Sequence, residues 1–147
     1  MNKREIAQGL AHFLADTWVV YVKTLRFHWN MRGAEFFMYH KLLEEQYKEM
    51  ADAIDEIAER IRMLGHAAPG SMEEFLGLAC LKESKGALSQ EGMVKALVQD
   101  HQSLVEHCQE LIAFTDAEKD YGSSDLLIER LRTHDKAHWL LASHLKK

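Results

Sequence analysis

The sequence predicts an all-α protein, a four-helix bundle with a short extra helix in the long connection between its second and third long helices. Leucine and alanine occur 19 and 16 times, against 12 for valine and isoleucine together, and the 147 residues include a single proline. This composition favours helices over strands. Apolar residues also recur three and four positions apart in four long segments, which is the spacing of amphipathic helices.

The first two helices are predicted as a pair joined by a glycine-containing turn. Apolar residues follow helical spacing from Ile6 to His28, and Gly33 supplies a stop signal shortly afterwards. A second stripe begins after this glycine at Phe36 and continues to Leu64, where another glycine follows. The first stripe is long enough for about seven turns of helix.

The connection after the second helix is the main break in this pattern. It contains Ser71 followed three residues later by Glu74, the arrangement of a capping box, in which side chains satisfy the free N–H groups of a helix start. A short helix is therefore predicted from Met72 to about Leu81. The break ends near Gln90, where helical spacing resumes.

Two further stripes complete the predicted bundle. The third runs from Met93 to Ile112 and the fourth from Leu127 to Leu145, with a loop predicted around residues 121–124 between them. Two helices, a long crossover and two more helices make a ferritin-like topology. Because all four helices are expected to share one core, a single domain is predicted over residues 1–147.

Charge and composition restrict the classes of function. The net charge is −5, whereas a protein that binds polyanions usually carries the opposite sign. The longest apolar run is Trp18–Val22, too short to cross a membrane, and no signal peptide is apparent. Two cysteines provide no disulfide framework and fit a reducing cytoplasm, where we expect the protein to be located. Nine histidines in a chain of this length are a first indication of metal chemistry.

Two pairs of possible metal ligands lie on the predicted second helix. His40 and Glu44 are four residues apart, and so are Asp55 and Glu59. Glu44 and Asp55 differ by a rotation of only about 20°, so the two pairs share nearly one helix face. His40 and Asp55 are nevertheless about 22 Å apart along the helix axis, so no single site on one helix can use both pairs.

Two copies of the helix remove this difficulty. The two pairs are arranged symmetrically about a point between Glu49 and Met50. Antiparallel copies that cross there at a two-fold axis would place His40 near the partner's Glu59 and would produce two identical sites. Imidazoles combined with carboxylates suit iron or manganese. The alternative left open by spacing alone is that the carboxylates are solvated surface groups and that the histidines belong to the core.

Several distinctive motifs surround these candidate ligands. They are HWNMRGAEFF from His28 to Phe37, His40 twelve residues after His28, and DEIAER from Asp55 to Arg60. Others are EFL at residues 74–76, SDLL at 124–127 and HDKAHW at 134–139. Together they resemble the motifs of the Dps family, the mini-ferritins known as DNA-binding proteins from starved cells. The resemblance covers nearly the whole chain, from about Ile6 to Leu145.

This resemblance implies a hollow dodecamer with a ferroxidase centre between two subunits. The centre would hold two iron ions, with His28, His40 and the residue four positions later from one subunit and with Asp55 and Glu59 from the other. The family usually has aspartate at the position of Glu44, so the longer side chain would shift the weaker iron position. Iron(II) would be oxidised, with hydrogen peroxide as the favoured oxidant, and stored as a mineral.

The resemblance also suggests roles for residues outside this ligand set. Trp29 resembles a tryptophan near the family's site, a candidate relay for stray oxidising equivalents, and its alternative role is to fill space at the interface. Asp120 and Asp125 match an acidic segment that lines a three-fold pore in the family, although a solvated acidic loop would look the same. His134 and His138 could form a second metal site, but packing is the commoner role of such a pair. His101 is expected to be a hydrogen-bonded core residue.

DNA binding is expected to be weak or absent, because the family commonly uses a lysine-rich tail for it. Here the first residues offer only Lys3 and Arg4 against Glu5, and the last offer only Lys146 and Lys147. Three kinds of function therefore remain: an iron-oxidising storage enzyme, a DNA-compacting protein, and a cage with adhesion, immune or signalling roles and a vestigial metal site. The complete ligand set favours the first.

Overall fold

The computed structural model describes residues 1–145, and this part of the chain contains five α-helices and no strand. They are α1 (Lys3–Asn30), α2 (Phe36–Met63), α3 (Met72–Leu78), α4 (Gln90–Ala117) and α5 (Tyr121–Ala142). α1 packs against α2 and α4 against α5, while α1 also contacts α4 and the short α3. The all-α bundle with a short helix in its middle crossover is therefore confirmed.

The turn between α1 and α2 follows the predicted glycine signal. α1 begins after Asn2, whose side chain accepts a hydrogen bond from the Glu5 N–H at 3.1 Å. α1 ends at Asn30, and Gly33 has φ +135°, a backbone conformation that favours glycine. The short turn brings the last residues of α1 next to the first residues of α2.

The short helix α3 has the predicted N-cap and ends earlier than predicted. The Ser71 hydroxyl accepts a hydrogen bond from the Glu74 N–H at 3.1 Å. The helix stops at Leu78 because the next segment has other partners: the Asp16 carboxylate of α1 accepts from the Cys80 and Leu81 N–H groups, at 2.7 and 2.9 Å. A carboxylate outside the segment thus ends this helix.

The prediction of a loop around residues 121–124 is wrong. These residues form the first turn of α5, because Asp120 acts as its N-cap and accepts hydrogen bonds from the N–H and the hydroxyl of Ser123. Ser124 is held in turn by Thr115, at an Oγ–Oγ1 distance of 2.7 Å. Glycine and serine, which suggest a loop from composition alone, are here the residues of a capped helix start.

Two arginines connect α2 with α5. Arg130 of α5, only 2% exposed, forms a bidentate ion pair with Glu49. Arg60 of α2 donates to Asp120 at 2.6 Å and to Ser123 at 2.9 Å, and it lies over the backbone of Gly122. A Cβ atom at residue 122 would be 2.9 Å from Nη2 of this arginine, so glycine permits the contact.

The buried apolar side chains of all five helices form one continuous cluster. Cys80 is exposed and Cys108 is buried, and neither forms a disulfide. Within residues 1–145, no helix has both the length and the apolar character needed to cross a membrane.

Candidate metal centre

His28 and His40 are brought together where α1 ends and α2 begins. Their rings stack with centroids 3.8 Å apart and planes 11° from parallel. Nδ1 of His28 lies 2.8 Å from the His40 carbonyl oxygen, and Nδ1 of His40 lies 2.8 Å from the His28 carbonyl oxygen. Two reciprocal hydrogen bonds therefore fix the orientation of both rings.

These bonds also determine which ring nitrogen is free. A carbonyl oxygen can only accept, so each Nδ1 must carry the hydrogen, and each neutral ring keeps its lone pair on Nε2. A histidine that binds a metal ion usually donates its other N–H to an oxygen in this way. His28 is 5% exposed and His40 is partly exposed. The pair is thus prepared to bind a metal ion through two Nε2 atoms.

Glu44 lies one helical turn after His40 on α2. It is half-buried, and its carboxylate is 3.5 Å from the ammonium group of Lys48, a solvent-exposed pair that adds little stability. Glu44 therefore remains available as an oxygen ligand one turn after His40, although the described residues do not bring it together with the two imidazoles as a three-ligand group.

Asp55 and Glu59 form the second half of the predicted ligand set, nearer the end of α2. Both are exposed. Repulsion from the Asp55 charge, together with a hydrogen bond between the two side chains, raises the pKa of Glu59. A bound cation would reduce the repulsion between these two carboxylates.

The two halves do not meet within one chain. Among the residues that the structure describes, no group of three or more His, Cys, Asp or Glu side chains is placed to hold a metal ion. The fold therefore assembles His28 with His40, and Asp55 with Glu59, but does not join these pairs. Their union across a two-fold axis stays a prediction.

The face of α2 between the two halves is suited to packing. The core side of this helix is formed by Met50, Ala53 and Ile57, which are buried. Ala51, by contrast, is exposed on the side of Glu44 and Asp55. A small residue at this position would let a second copy of the helix approach closely.

The remaining predicted site residues have different environments. Trp29 directly follows His28, and 67% of its surface is exposed. Asp125 is also exposed. Asp120, by contrast, is 1% exposed. Burial acts to raise the pKa of Asp120, but hydrogen bonds from Ser123 and the charge of Arg60 outweigh it and lower that pKa. Its capping role argues against the expectation that it lines a pore.

His134 and His138 do not act together. Nε2 of His134 accepts from the Arg130 guanidinium at 3.1 Å, so its Nδ1 carries the hydrogen and donates to Nδ1 of His101 at 2.9 Å. Both nitrogens of His134 are thus engaged, which leaves none for a metal ion shared with His138. The expectation that His101 is a hydrogen-bonded core histidine is confirmed.

This buried network includes a residue that sequence reasoning missed. Arg130 lies on the apolar stripe of α5, three residues after Leu127 and four before His134. An arginine at a core position of an amphipathic helix is itself a signal, because such a charge needs buried partners.

Comparisons with known proteins agree with this architecture. A protein-family model of the ferritin-like domain matches residues 7–147. A low temperature-induced protein of Nostoc is 41% identical over 135 residues, which are 90% of this chain and 75% of the relative. The DNA protection during starvation protein 2 of Bacillus anthracis is 33% identical over 147 residues, which are 100% of this chain and 100% of the relative.

A solved structure gives the same result in three dimensions. The Dps protein of Vibrio cholerae superposes with a TM-score of 0.94 at 30% identity, over 98% of this chain and 91% of that one. It is described as a member of a superfamily of ferritin-like diiron-carboxylate proteins. Together with the matched domain and the relatives above, this shows that the chain belongs to the Dps family of mini-ferritins.

Proposed function

We propose that this protein oxidises Fe(II) to Fe(III) with hydrogen peroxide and stores the iron in a shell of twelve subunits, which protects the cell from oxidative damage. Family membership supports the general role in iron storage and stress protection, with ferroxidase-type activity. The observation that carries the specific proposal is the stacked His28–His40 pair, whose two Nε2 atoms are free.

Each centre is formed by two subunits in this proposal. One chain contributes His28, His40 and Glu44, and its neighbour contributes Asp55 and Glu59. The symmetric spacing of these residues along α2 supports the arrangement, because antiparallel copies would pair each half with the other. The exposed carboxylates of Asp55 and Glu59 and the small Ala51 lie on the face that such a contact would use.

The ligand set suits the chemistry. Imidazoles and carboxylates bind iron, and the negative carboxylates favour Fe(III) over Fe(II). Two Fe(II) ions supply both electrons that peroxide needs: two Fe(II), one hydrogen peroxide and two protons give two Fe(III) and two water molecules. Because both electrons come from one centre, no hydroxyl radical has to form. Glu44, longer than the family's usual aspartate, would reach further towards the second iron.

Stoichiometry tests the proposed reaction. With two Fe(II) ions bound per centre and no oxygen present, we expect one hydrogen peroxide to be consumed for every two Fe(II) oxidised, with little hydroxyl radical detected by spin trapping. A peroxide titration followed by iron absorbance measures the ratio. Consumption of one peroxide per Fe(II), with abundant radical adducts, would contradict paired-iron oxidation.

The route of iron into the shell gives a second test. Asp125 is exposed and can contribute to a ring of carboxylates that concentrates cations, whereas Asp120 is buried in its pair with Arg60. Asp125→Asn should therefore slow the initial uptake at limiting Fe(II) without changing stability. Asp120→Asn should lower the unfolding temperature instead. Equal uptake rates for wild type and Asp125→Asn would count against the pore assignment.

Binding of duplex DNA is not expected to be part of the function. DNA affinity depends on the release of counterions by a basic surface, and this chain has a net charge of −5 that each subunit of a shell would add again. Lys146 and Lys147 lie outside the described residues. We expect no retarded plasmid in a gel shift at neutral pH and physiological salt; stable retardation there would show that DNA compaction is a second function.

A further inference from the structure

A row of aromatic side chains leads away from the metal-binding histidines. The Tyr47 ring meets the His28 ring edge-on, with centroids 5.2 Å apart. Tyr21 follows at 6.3 Å from Tyr47, and Trp18 follows at 5.4 Å from Tyr21. The indole of Trp18 then stacks on Phe75 of α3 at 5.1 Å. Three side chains that readily lose one electron are thus arranged in sequence from a proposed iron ligand.

The row runs through the α1–α2 contact and ends at a groove. Tyr47, Tyr21 and Trp18 are all partly exposed. Trp18 forms part of the wall of a groove of about 200 Å³ between α1 and α3, beside Phe75 and Met72. Phe75 is much harder to oxidise than tyrosine or tryptophan, so an oxidising equivalent that travels along the row would stop at Trp18. Trp29 is not part of this row, and its ring is largely exposed in one chain.

A centre that holds only one Fe(II) would produce an oxidant that such a row could remove. One Fe(II) gives a single electron to hydrogen peroxide, and the products are Fe(III), hydroxide and a hydroxyl radical. Released beside His28 and His40, that radical would damage the ligands themselves. An oxidisable group in contact with these rings would intercept it.

We propose that Tyr47, Tyr21 and Trp18 form a relay that carries a one-electron oxidising equivalent from the His28 side of the iron centre to the groove beside α3. This relay rests on the proposed function, because iron and peroxide generate the oxidant. Tyr47 gives a hydrogen atom to the hydroxyl radical, which becomes water. The tyrosyl radical then takes an electron from Tyr21, and Tyr21 takes one from Trp18. Each of these partly exposed side chains exchanges its proton with water.

The relay is completed at its far end. The oxidised Trp18 is restored by an Fe(II) ion in solution, which gives one electron and becomes Fe(III), while a proton is taken up from water. The net reaction converts two Fe(II), one hydrogen peroxide and two protons into two Fe(III) and two water molecules. It is the same balance as at a filled centre, with the second electron delivered through the protein.

Radical spectroscopy on underloaded protein tests the relay. Assembled protein with fewer than one Fe(II) per centre is mixed with hydrogen peroxide without oxygen, frozen, and examined by electron paramagnetic resonance. Deuterated tyrosine or tryptophan identifies the radical. Wild type should show tyrosyl and tryptophanyl signals, and Tyr47→Phe should lose most of both per Fe(II) oxidised. Trp18→Phe should retain the tyrosyl signal and lose the tryptophanyl signal assigned to the row.

A matched control and a product analysis separate the relay from simple packing. Tyr121→Phe changes an exposed tyrosine at the start of α5 and should behave as wild type. Mass spectrometry should show oxidation at Trp18 and Tyr21 in wild type, moving to His28 and His40 in Tyr47→Phe. If Tyr47 is only a packing residue, its replacement lowers thermal stability but leaves radical yield and oxidised residues unchanged, and the relay is rejected.

The relay and the iron chemistry can fail separately. If filled centres consume one peroxide per two Fe(II) but no radical resides on this row in underloaded protein, the relay alone is overturned. If filled centres do not oxidise iron with peroxide, the proposed function is overturned first.

Discussion

Chains carrying His28→Ala and chains carrying Glu59→Ala should each be inactive in Fe(II) oxidation and should regain activity when they are mixed, dissociated and reassembled. The reason is that the structure places His28 with His40 and Asp55 with Glu59 but does not join the two pairs in one chain. At a two-fold contact between one chain of each kind, which we call a mixed contact, one centre would carry both substitutions. The other would carry a complete set of ligands.

The expected recovery can be estimated from symmetry. Random reassembly of equal amounts makes half of the contacts mixed, and each mixed contact has one intact centre of two, so about a quarter of wild-type activity should return. His28→Ala mixed with His40→Ala is the matched control, because both lesions lie in the same half and no centre becomes intact. Absence of recovery in the first mixture, with mixed contacts confirmed by native mass spectrometry, would rule out centres shared between subunits.

Helix periodicity predicted the scaffold well and the junctions less well. The four long helices and α3 follow from apolar spacing and from recognisable caps such as Ser71. The start of α5 was missed because Asp120, Gly122 and Ser123 resemble a loop in composition, whereas the structure uses Asp120 as a cap and Gly122 as space for Arg60. The Arg60–Asp120 contact joins residues 60 positions apart, which no local pattern can show. The Asp120 cap is a local signal, because its partner Ser123 is only three residues later.

The candidate site, too, could be predicted only in part from the sequence. Spacing along α2 is sufficient to put His40, Glu44, Asp55 and Glu59 on one face, because a helix fixes that geometry. The contact of His28 with His40 depends on how the α1–α2 turn folds back, and periodicity does not specify it. The exchange of Nδ1–H bonds between these two residues is a tertiary feature, and it is what leaves both Nε2 atoms free.

Acid should destabilise the protein through two histidines far from the proposed iron ligands in sequence. Burial, reinforced by the charge of Arg130, lowers the pKa of His101 to about 3. Burial and the neighbouring His101 lower the pKa of His134 well below its ordinary value of 6.5. Below about pH 6.5 these histidines therefore bind protons in the unfolded chain but not in the folded chain. The free energy of unfolding decreases as the pH falls, because protons stabilise the unfolded state. Each histidine contributes at most about 1.4 kcal/mol per pH unit in this range.

The double variant His101→Leu, His134→Leu should show a flatter pH dependence between pH 7 and pH 5 than wild type, whatever its absolute stability. Urea unfolding at a fixed protein concentration and several pH values measures the slope. All other titratable groups are the same in both proteins, so their contributions cancel in the comparison. His66→Gln is the matched control, since His66 is not part of the buried network, and should keep the wild-type slope. If the double variant keeps the wild-type slope too, the acid sensitivity does not come from the two histidines that join α4 to α5 through hydrogen bonds.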